Sequence, residues 1–460
     1  LHRVRTAVVW STSDCVNTEA SWSSRNYFGG ARRLSVSGRL SNILATQLNQ
    51  NACPQTGTGE FAELNGQLQV ELVQPWIFSP RNSLSASAFI ERQSLQDVFI
   101  REALGVNLSL SRLLATGFTA TLSYEPQITR LDAAEIFFCS SFLACTEDDI
   151  DLFQASNWLA PVGLSFNVDR SNSLLNPTEG WQGSLALETA SNITGSDFAY
   201  RRATATLSGY AEVGETVVAL RLAGGIVSEG EFFRLVEAED RVGIIHPEKR
   251  LYSGGASSVR GFAENRLGPG VLAVSAPRLL ETPQGGTAAC TPQEVFVGSC
   301  DASSVSRGSF QERPTGGDRL LNGNLEVRLP FGGDRFQFVS FVDVGQVWGT
   351  DEEVELSDIA VTPGIGFRYF SPVGPIRVDI GLRPRIDDAL RVISSGIRPF
   401  DPATDAEASR IEVRGPSGMV APIDWVNTSD LLFLDPRVPF SSQSSFLGRL
   451  QLPISIRQAF

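Results

Sequence analysis

The sequence predicts an all-β fold, a closed sixteen-stranded antiparallel transmembrane β-barrel with long extracellular loops. Three observations predict it. Stretches of about ten residues alternate apolar and polar side chains and end in turn signals. The connections between them are of two kinds, very short and very long. The composition also suits one large sheet: 42 of 460 residues are Gly, 28 are Phe, and only 19% are charged. Mean hydropathy is −0.02, and no run approaches the ~18 apolar residues of a membrane helix. Membrane contact therefore has to come from alternating strands. A soluble chain of this length would usually divide into several domains, whereas one closed sheet absorbs it whole. The expected domain is 1–460.

Strands assigned between the turn signals run from near Val4 to Phe460. The first, near Val4 to Thr12, is short. Further along, Val218, Leu220 and Leu222 alternate with Ala219, Arg221 and Ala223. Leu325, Val327 and Leu329 alternate with Asn324, Glu326 and Arg328. Ile376, Val378, Ile380 and Leu382 alternate with Arg377, Asp379, Gly381 and Arg383. Leu450, Leu452, Ile454 and Ile456 alternate with Arg449, Gln451, Pro453, Ser455 and Arg457. A soluble sandwich also fills one face with Leu and Val, but it does not repeatedly set Arg, Asp and Glu beside Gly on the other. A polar lumen explains that face. Short turns at Tyr27-Phe28-Gly29-Gly30, Phe331-Gly332-Gly333-Asp334 and Pro372-Val373-Gly374-Pro375 are assigned to the periplasm. Long loops near 50–60, 134–152, 229–318 and 387–443 are assigned to the exterior. Leu1 follows no charged-then-apolar leader, so the chain reads as a mature or trimmed piece that has lost its amino-terminal part.

All six cysteines fall in long loops or at outer strand ends. The close pairs Cys139/Cys145 and Cys290/Cys300 fit disulfides in an oxidising compartment. Cys15 and Cys53, in the first and second outer loops, would bridge neighbouring hairpins. No tight CxxC occurs, and only His2 and His246 could assist a metal, so no metal site is expected. The formal charge of −13 excludes a nucleic-acid surface, which needs the opposite sign. Acidic runs such as Glu147-Asp148-Asp149 and Asp351-Glu352-Glu353 are most simply solvated loops; a divalent-ion bridge to lipopolysaccharide is an unsupported alternative.

Several motifs resemble the BamA/TamA superfamily of outer-membrane assembly and translocation barrels. RLYSGGASSVRGF, Arg250 to Phe262, is similar to the tip of that family's sixth outer loop, with Val259-Arg260-Gly261-Phe262 as its signature. GDRLLNGNLEVRLPF (Gly317 to Phe331) and FVDVGQVW (Phe341 to Trp348) resemble the next two strands. GIGFRYFSPVGPIRVDIG (Gly364 to Gly381) resembles the penultimate hairpin, and DRSNSLLNPTEGW (Asp169 to Trp181) a mid-barrel periplasmic turn. SIRQAF, Ser455 to Phe460, resembles the closing strand signal. These motifs occur in the family's order over residues 169 to 460; the earlier strands match in pattern only. Two departures stand out: Arg457 occupies a position where the family usually has Gly, and the amino-terminal POTRA domains that the resemblance implies are not in this sequence.

Arg260 is the leading candidate site residue. It lies in a loop rich in Gly, Ser and Pro that five guanidinium donors could anchor to carboxylates inside the barrel. Alternation points Glu326 and Asp343 inward. Taken alone, the three could equally be independently solvated lumen charges; the resemblance implies that Glu326 and Asp343 hold Arg260 and that the sixth loop folds into the lumen. Gly254, Gly255 and Gly261 suit a turn at this tip. Trp181, Trp348, Tyr369 and Phe460, near strand ends, read as interfacial aromatic girdle. Catalysis finds no support: Gly415-Pro416-Ser417-Gly418 has the wrong spacing for a nucleophile elbow, and neither histidine has a nucleophile beside it.

The resemblance implies insertion of outer-membrane proteins, or export through the same machinery, without a cofactor. The expected partners are unfolded outer-membrane protein clients, outer-membrane lipid and lipopolysaccharide, and periplasmic accessory proteins met through POTRA domains. Client strands would pair at a seam between the first and last strands, since an unpaired edge is a template. Pro453, which offers no N–H to a ladder, is expected to weaken that seam in place of the family's glycine, with Arg457 and Phe460 completing the closing strand. The alternatives are a two-partner secretion pore of the same superfamily and a passive porin.

Overall fold

The computed structural model describes residues 2–456 except 12–14, 49–52, 54–58, 96–97, 134–146, 175, 235–242, 284–285, 332, 334, 351, 372–373, 386–387, 441–445 and 453. The wall is formed by β1 (His2–Ser11), β2 (Cys15–Arg25), β3 (Arg33–Ile43), β4 (Asn65–Pro75), β5 (Asn82–Leu95), β6 (Phe99–Ala115), β7 (Phe118–Tyr124), β8 (Gln127–Ala133), β9 (Asn157–Leu159), β10 (Val162–Asp169), β11 (Gly180–Ala190), β12 (Tyr200–Val213) and β13 (Thr216–Ser228). After the excursion of the sixth outer loop, which carries β14 (Gly270–Ala273) and β15 (Gln311–Pro314), the wall resumes. It continues with β16 (Arg319–Pro330), β17 (Phe336–Trp348), β18 (Ala360–Ser371) and β19 (Gly374–Leu382). The last outer loop carries β20 (Asp388–Pro399), β21 (Arg410–Arg414) and β22 (Val420–Phe440), and β23 (Leu450–Gln451) and β24 (Ile454–Ile456) follow it.

Each wall strand pairs antiparallel with its neighbour, and β24 returns to β1. Three staves are interrupted. β7 and β8 both pair with β6, β9 and β10 continue one line against β8 and β7, and β23 and β24 both pair with β19. The first two breaks fall at Pro126 and Pro161, where proline withholds a ladder donor; the Glu125 N–H turns to the Pro161 carbonyl instead, at 3.0 Å. Counting each interrupted stave once, the described residues give sixteen.

The wall inverts the burial of a soluble protein. In β16, Leu321, Leu325 and Leu329 are about 40% exposed, whereas Glu326 between them is fully buried. Leu104, Val106 and Leu108 of β6 and Leu220 and Leu222 of β13 also face outward. This is the apolar-out, polar-in alternation of a lipid-facing barrel. No described helix is long and apolar enough to cross a membrane.

The two longest connections differ from the bare loops their Gly, Ser and Pro content suggests. Their strands form a second sheet in the order β15-β14-β20-β22-β21, with β14 and β20 parallel. It has its own apolar core, including Leu272, Leu279, Val295, Val392, Ile397 and Leu434. A separate apolar cluster that includes Phe153, Leu159, Phe198, Phe232, Ile244, Val271 and Ile393 joins several loops to the ends of wall strands. Cys290–Cys300 ties the cap, with Cα atoms 5.5 Å apart, and Cys15–Cys53 joins the first two outer loops at 5.2 Å. Cys139 and Cys145 lie outside the described residues.

Trp348 corrects the girdle expectation. It is buried, at a point where the returning chain runs alongside: the Asp318 N–H donates to its carbonyl at 3.0 Å. Trp181 is half-exposed at the periplasmic end of β11. Tyr369 stacks on Phe336 with ring centroids 5.1 Å apart, and Phe460 lies outside the described residues. β1, expected to be short, is ten residues long and pairs with β2 throughout.

Candidate functional site: the loop-tip charge cluster

The sixth loop dips from Arg250 to Leu267 into the lumen, and tight turns make that possible. Gly254 and Gly255 take φ of +108° and +94°, which side chains with a Cβ rarely tolerate. Gly261 lies against Thr362, where a Cβ would sit 2.3 Å from its Cγ2. On the wall, Gly381 lets the loop approach, since a Cβ there would lie 2.7 Å from the Arg260 carbonyl oxygen. Val259 and Phe262 flank the arginine and pack with Leu267 and Ala360.

Arg260 is 1% exposed. It grips Asp343 bidentately, Nε to Oδ2 at 2.7 Å and Nη2 to Oδ1 at 2.6 Å, and its backbone N–H donates to Oδ2 at 3.0 Å. Nη1 reaches Glu326 Oε1 at 2.5 Å and Asp379 Oδ2 at 3.4 Å. The guanidinium also stacks on Phe341, 3.4 Å from the ring centroid, a cation–π contact. Burial disfavours the charge, but hydrogen bonding to Asp343 and the charges of Asp343, Glu326 and Asp379 more than offset this, so Arg260 titrates above its usual range.

Three further arginines complete the cluster. Arg328 Nε lies 2.9 Å from Glu326, Arg368 lies 2.5 Å from Asp379, and Arg377 lies 2.5 Å from Asp379. Arg377 also donates to the Ala256 carbonyl at 2.5 Å, and Asn324 to Ser258 O at 2.5 Å and Asp343 at 2.9 Å. Wall and loop are therefore knitted by side chain and backbone alike. A buried charge is tolerated only when paired and hydrogen-bonded, and here four arginines alternate with three carboxylates.

Of the residues singled out in the sequence, Arg260, Glu326 and Asp343 come together. Asp379, Arg368, Arg377, Arg328 and Phe341 join them without having been singled out. Their signal was present: Arg377 and Asp379 alternate with Val378 and Ile380 on the lumen face. Pro453, Arg457 and Phe460 lie outside the described residues. No group of side chains suited to a metal is found among the described residues.

The chain is similar in fold to BamA from Haemophilus ducreyi lacking POTRA domains 1–3, with a TM-score of 0.59 and 15% identity, covering 83% of this chain and 66% of that one. CdiB from Acinetobacter baumannii, at TM-score 0.44 and 13% identity, and CdiB from Escherichia coli, at 0.45 and 10%, match more loosely. Those alignments cover 85% and 98% of this chain and 57% and 62% of theirs. The chain thus spans under two thirds of the length of each of these structures. A family model described as the Omp85 superfamily domain matches residues 26–389. With an outer-membrane barrel whose lumen holds its own sixth loop by an arginine, the chain belongs to the Omp85 superfamily.

Proposed function

We propose that this barrel inserts client outer-membrane proteins by templating their strands at the seam between β1 and β24, in the manner of a BamA- or TamA-type factor. Membership of the superfamily supports outer-membrane insertion or translocation in general; the seam supports the narrower reading. β1 pairs with β2 from His2 opposite Ser24 to Ser11 opposite Cys15. Across the seam, among the described residues, only Ser11 stands opposite Ser455. β24 covers Ile454–Ile456; Pro453 before it and residues 457–460 after it lie outside the described residues. A strand edge freed at this seam would be a template for another chain, and Pro453, which lies outside the described residues, has no N–H to give to a ladder there. Export of an unfolded chain through the lumen would instead have to displace the loop-tip cluster, so the seam is the less obstructed route.

The test is to replace Ser11 and Ser455 with cysteines in a background freed of native cysteines and to cross-link them. In liposomes, the locked barrel should assemble a client barrel at least tenfold more slowly than its reduced form. Equal rates would overturn lateral templating and make lumen export the better reading.

A further inference from the structure

The sixth loop meets the wall at a second place, nearer the outer mouth. A short turn at Pro247–Lys249 follows His246, and all of His246, Pro247 and Lys249 are buried. Glu248 lies 2.7 Å from Arg101 Nε and 3.2 Å from Lys249 Nζ. Lys249 Nζ also lies 2.9 Å from Glu188 and 5.7 Å from the centroid of the Tyr200 ring. The wall partners are themselves fixed. Arg101 pairs with Glu91 and donates to Gln127 at 2.6 Å, and the Tyr200 hydroxyl donates to Glu188. Tyr252 donates to the Pro247 carbonyl at 3.3 Å, and His246 packs edge-on against Phe198.

These partners lie on β5, β6, β8, β11 and β12, whereas the loop-tip cluster uses β16 to β19. In the order of the sheet, β6 and β11 are separated by the two staves broken at Pro126 and Pro161. The turn thus braces the wall from inside across its most interrupted stretch.

The cation at its centre is unusual for this chain. The 460 residues hold 37 arginines and one lysine, Lys249. A compact ammonium with three rotatable donors here serves two carboxylates and a ring through single contacts, without a planar fork. Arg260 grips Asp343 bidentately at the tip while also reaching Glu326 and Asp379. The two anchors therefore differ in chemistry as well as place.

We infer that the buried turn His246–Lys249 is a second lock of the sixth loop, separable from the tip, that holds the outer mouth shut by tying β5 and β6 to β11 and β12, with Lys249 as its releasable cation.

The single lysine supplies the assay. In the folded protein in lipid, a lysine-specific endoproteinase can cut these 460 residues only after Lys249, giving a fragment that ends there. Wild-type protein should resist cutting under conditions that cleave the denatured chain completely. Glu188→Gln and Glu248→Gln should each speed the cut at least tenfold while keeping the heat-dependent gel mobility of a folded barrel. Glu188→Asp, which keeps the charge but shortens its reach, serves if a glutamine variant does not fold. Arg260→Ala should change the rate less than threefold. Cutting of native wild-type protein as fast as the denatured chain, or unchanged rates in the Glu188 and Glu248 variants, would overturn the lock. Acceleration by Arg260→Ala equal to theirs would overturn its separability.

Discussion

Replacing Arg260 with Ala removes a cation from contact with three buried carboxylates, and their remaining partners set the cost. Glu326 keeps Arg328 at 2.9 Å and Arg368 at 3.4 Å, and Asp379 keeps Arg368 and Arg377, both at 2.5 Å. Asp343 loses its bidentate partner and retains Asn324 and the loop's backbone N–H. The loss therefore concentrates on one carboxylate. Breaking a buried ion pair by removing one partner costs about 3–5 kcal/mol, and the arginines that stay behind place this case at the lower end, about 3 kcal/mol. That raises the undocked population of the tip roughly a hundredfold, at 1.4 kcal/mol per factor of ten. Hydrogen exchange over residues 250–269 reads this directly, with protection falling there while the strand amides keep theirs. Arg260→Lys, which retains charge but not the fork, should fall between the two. Protection of 250–269 that is the same in Arg260→Ala as in wild type would refute the anchoring argument.

Two further outcomes are expected. Burial pushes the His246 imidazole down from 6.5 to about 4, with Glu248 pulling the other way and Lys249 and Arg101 opposing its charge. A histidine held neutral in the fold contributes stability above its unfolded pKa that is lost as pH falls through the folded one. Docking of the outer part of the sixth loop should therefore weaken between about pH 6.5 and 4, by roughly 2–3 kcal/mol. Burial also acts on Glu248, but its cationic neighbours win and hold it near 2, so its own loss comes only in stronger acid. Exchange of residues 244–253 measured across this range checks it, and His246→Phe should flatten the dependence. Gly381→Ala should push the tip out of register, because the added Cβ meets the Arg260 carbonyl. Gly209→Ala meets nothing within 4 Å and serves as its control. Equal exchange in the two alanine variants would show that the tip does not depend on that close approach.

Much of the wall was legible because a barrel strand writes its two faces at alternate positions. Leu325 and Glu326 declare lipid and lumen in adjacent letters, and the large antiparallel wall follows from repeating that pattern. Arg260 was legible through its flanking motif. Asp379 and Arg377 were visible as inward residues, but nothing in their own segment reveals that a loop over 100 residues earlier arrives between them. The turn at His246–Lys249 was hidden for the same reason: its partners Arg101 and Glu188 lie in strands far apart in sequence. The cap was illegible because its strands are short and its Gly and Pro content imitates loop. Val271 and Val392 become core only when two separate excursions meet.

The parallel pairing of β14 with β20 also constrains the order in which the molecule can be made. Val271 stands opposite Arg391, 120 residues further along the chain. Closing so long a loop is entropically slow and is rewarded only once both ends are present. The sixth loop therefore cannot acquire its finished outer half until nearly the whole polypeptide has been delivered, and only the cap strands β21 and β22 and then the last stave remain to be laid down. Completion of the cap and closure of the wall thus fall together at the end of the barrel's own biogenesis, so a chain truncated before residue 390 should leave the mouth uncovered.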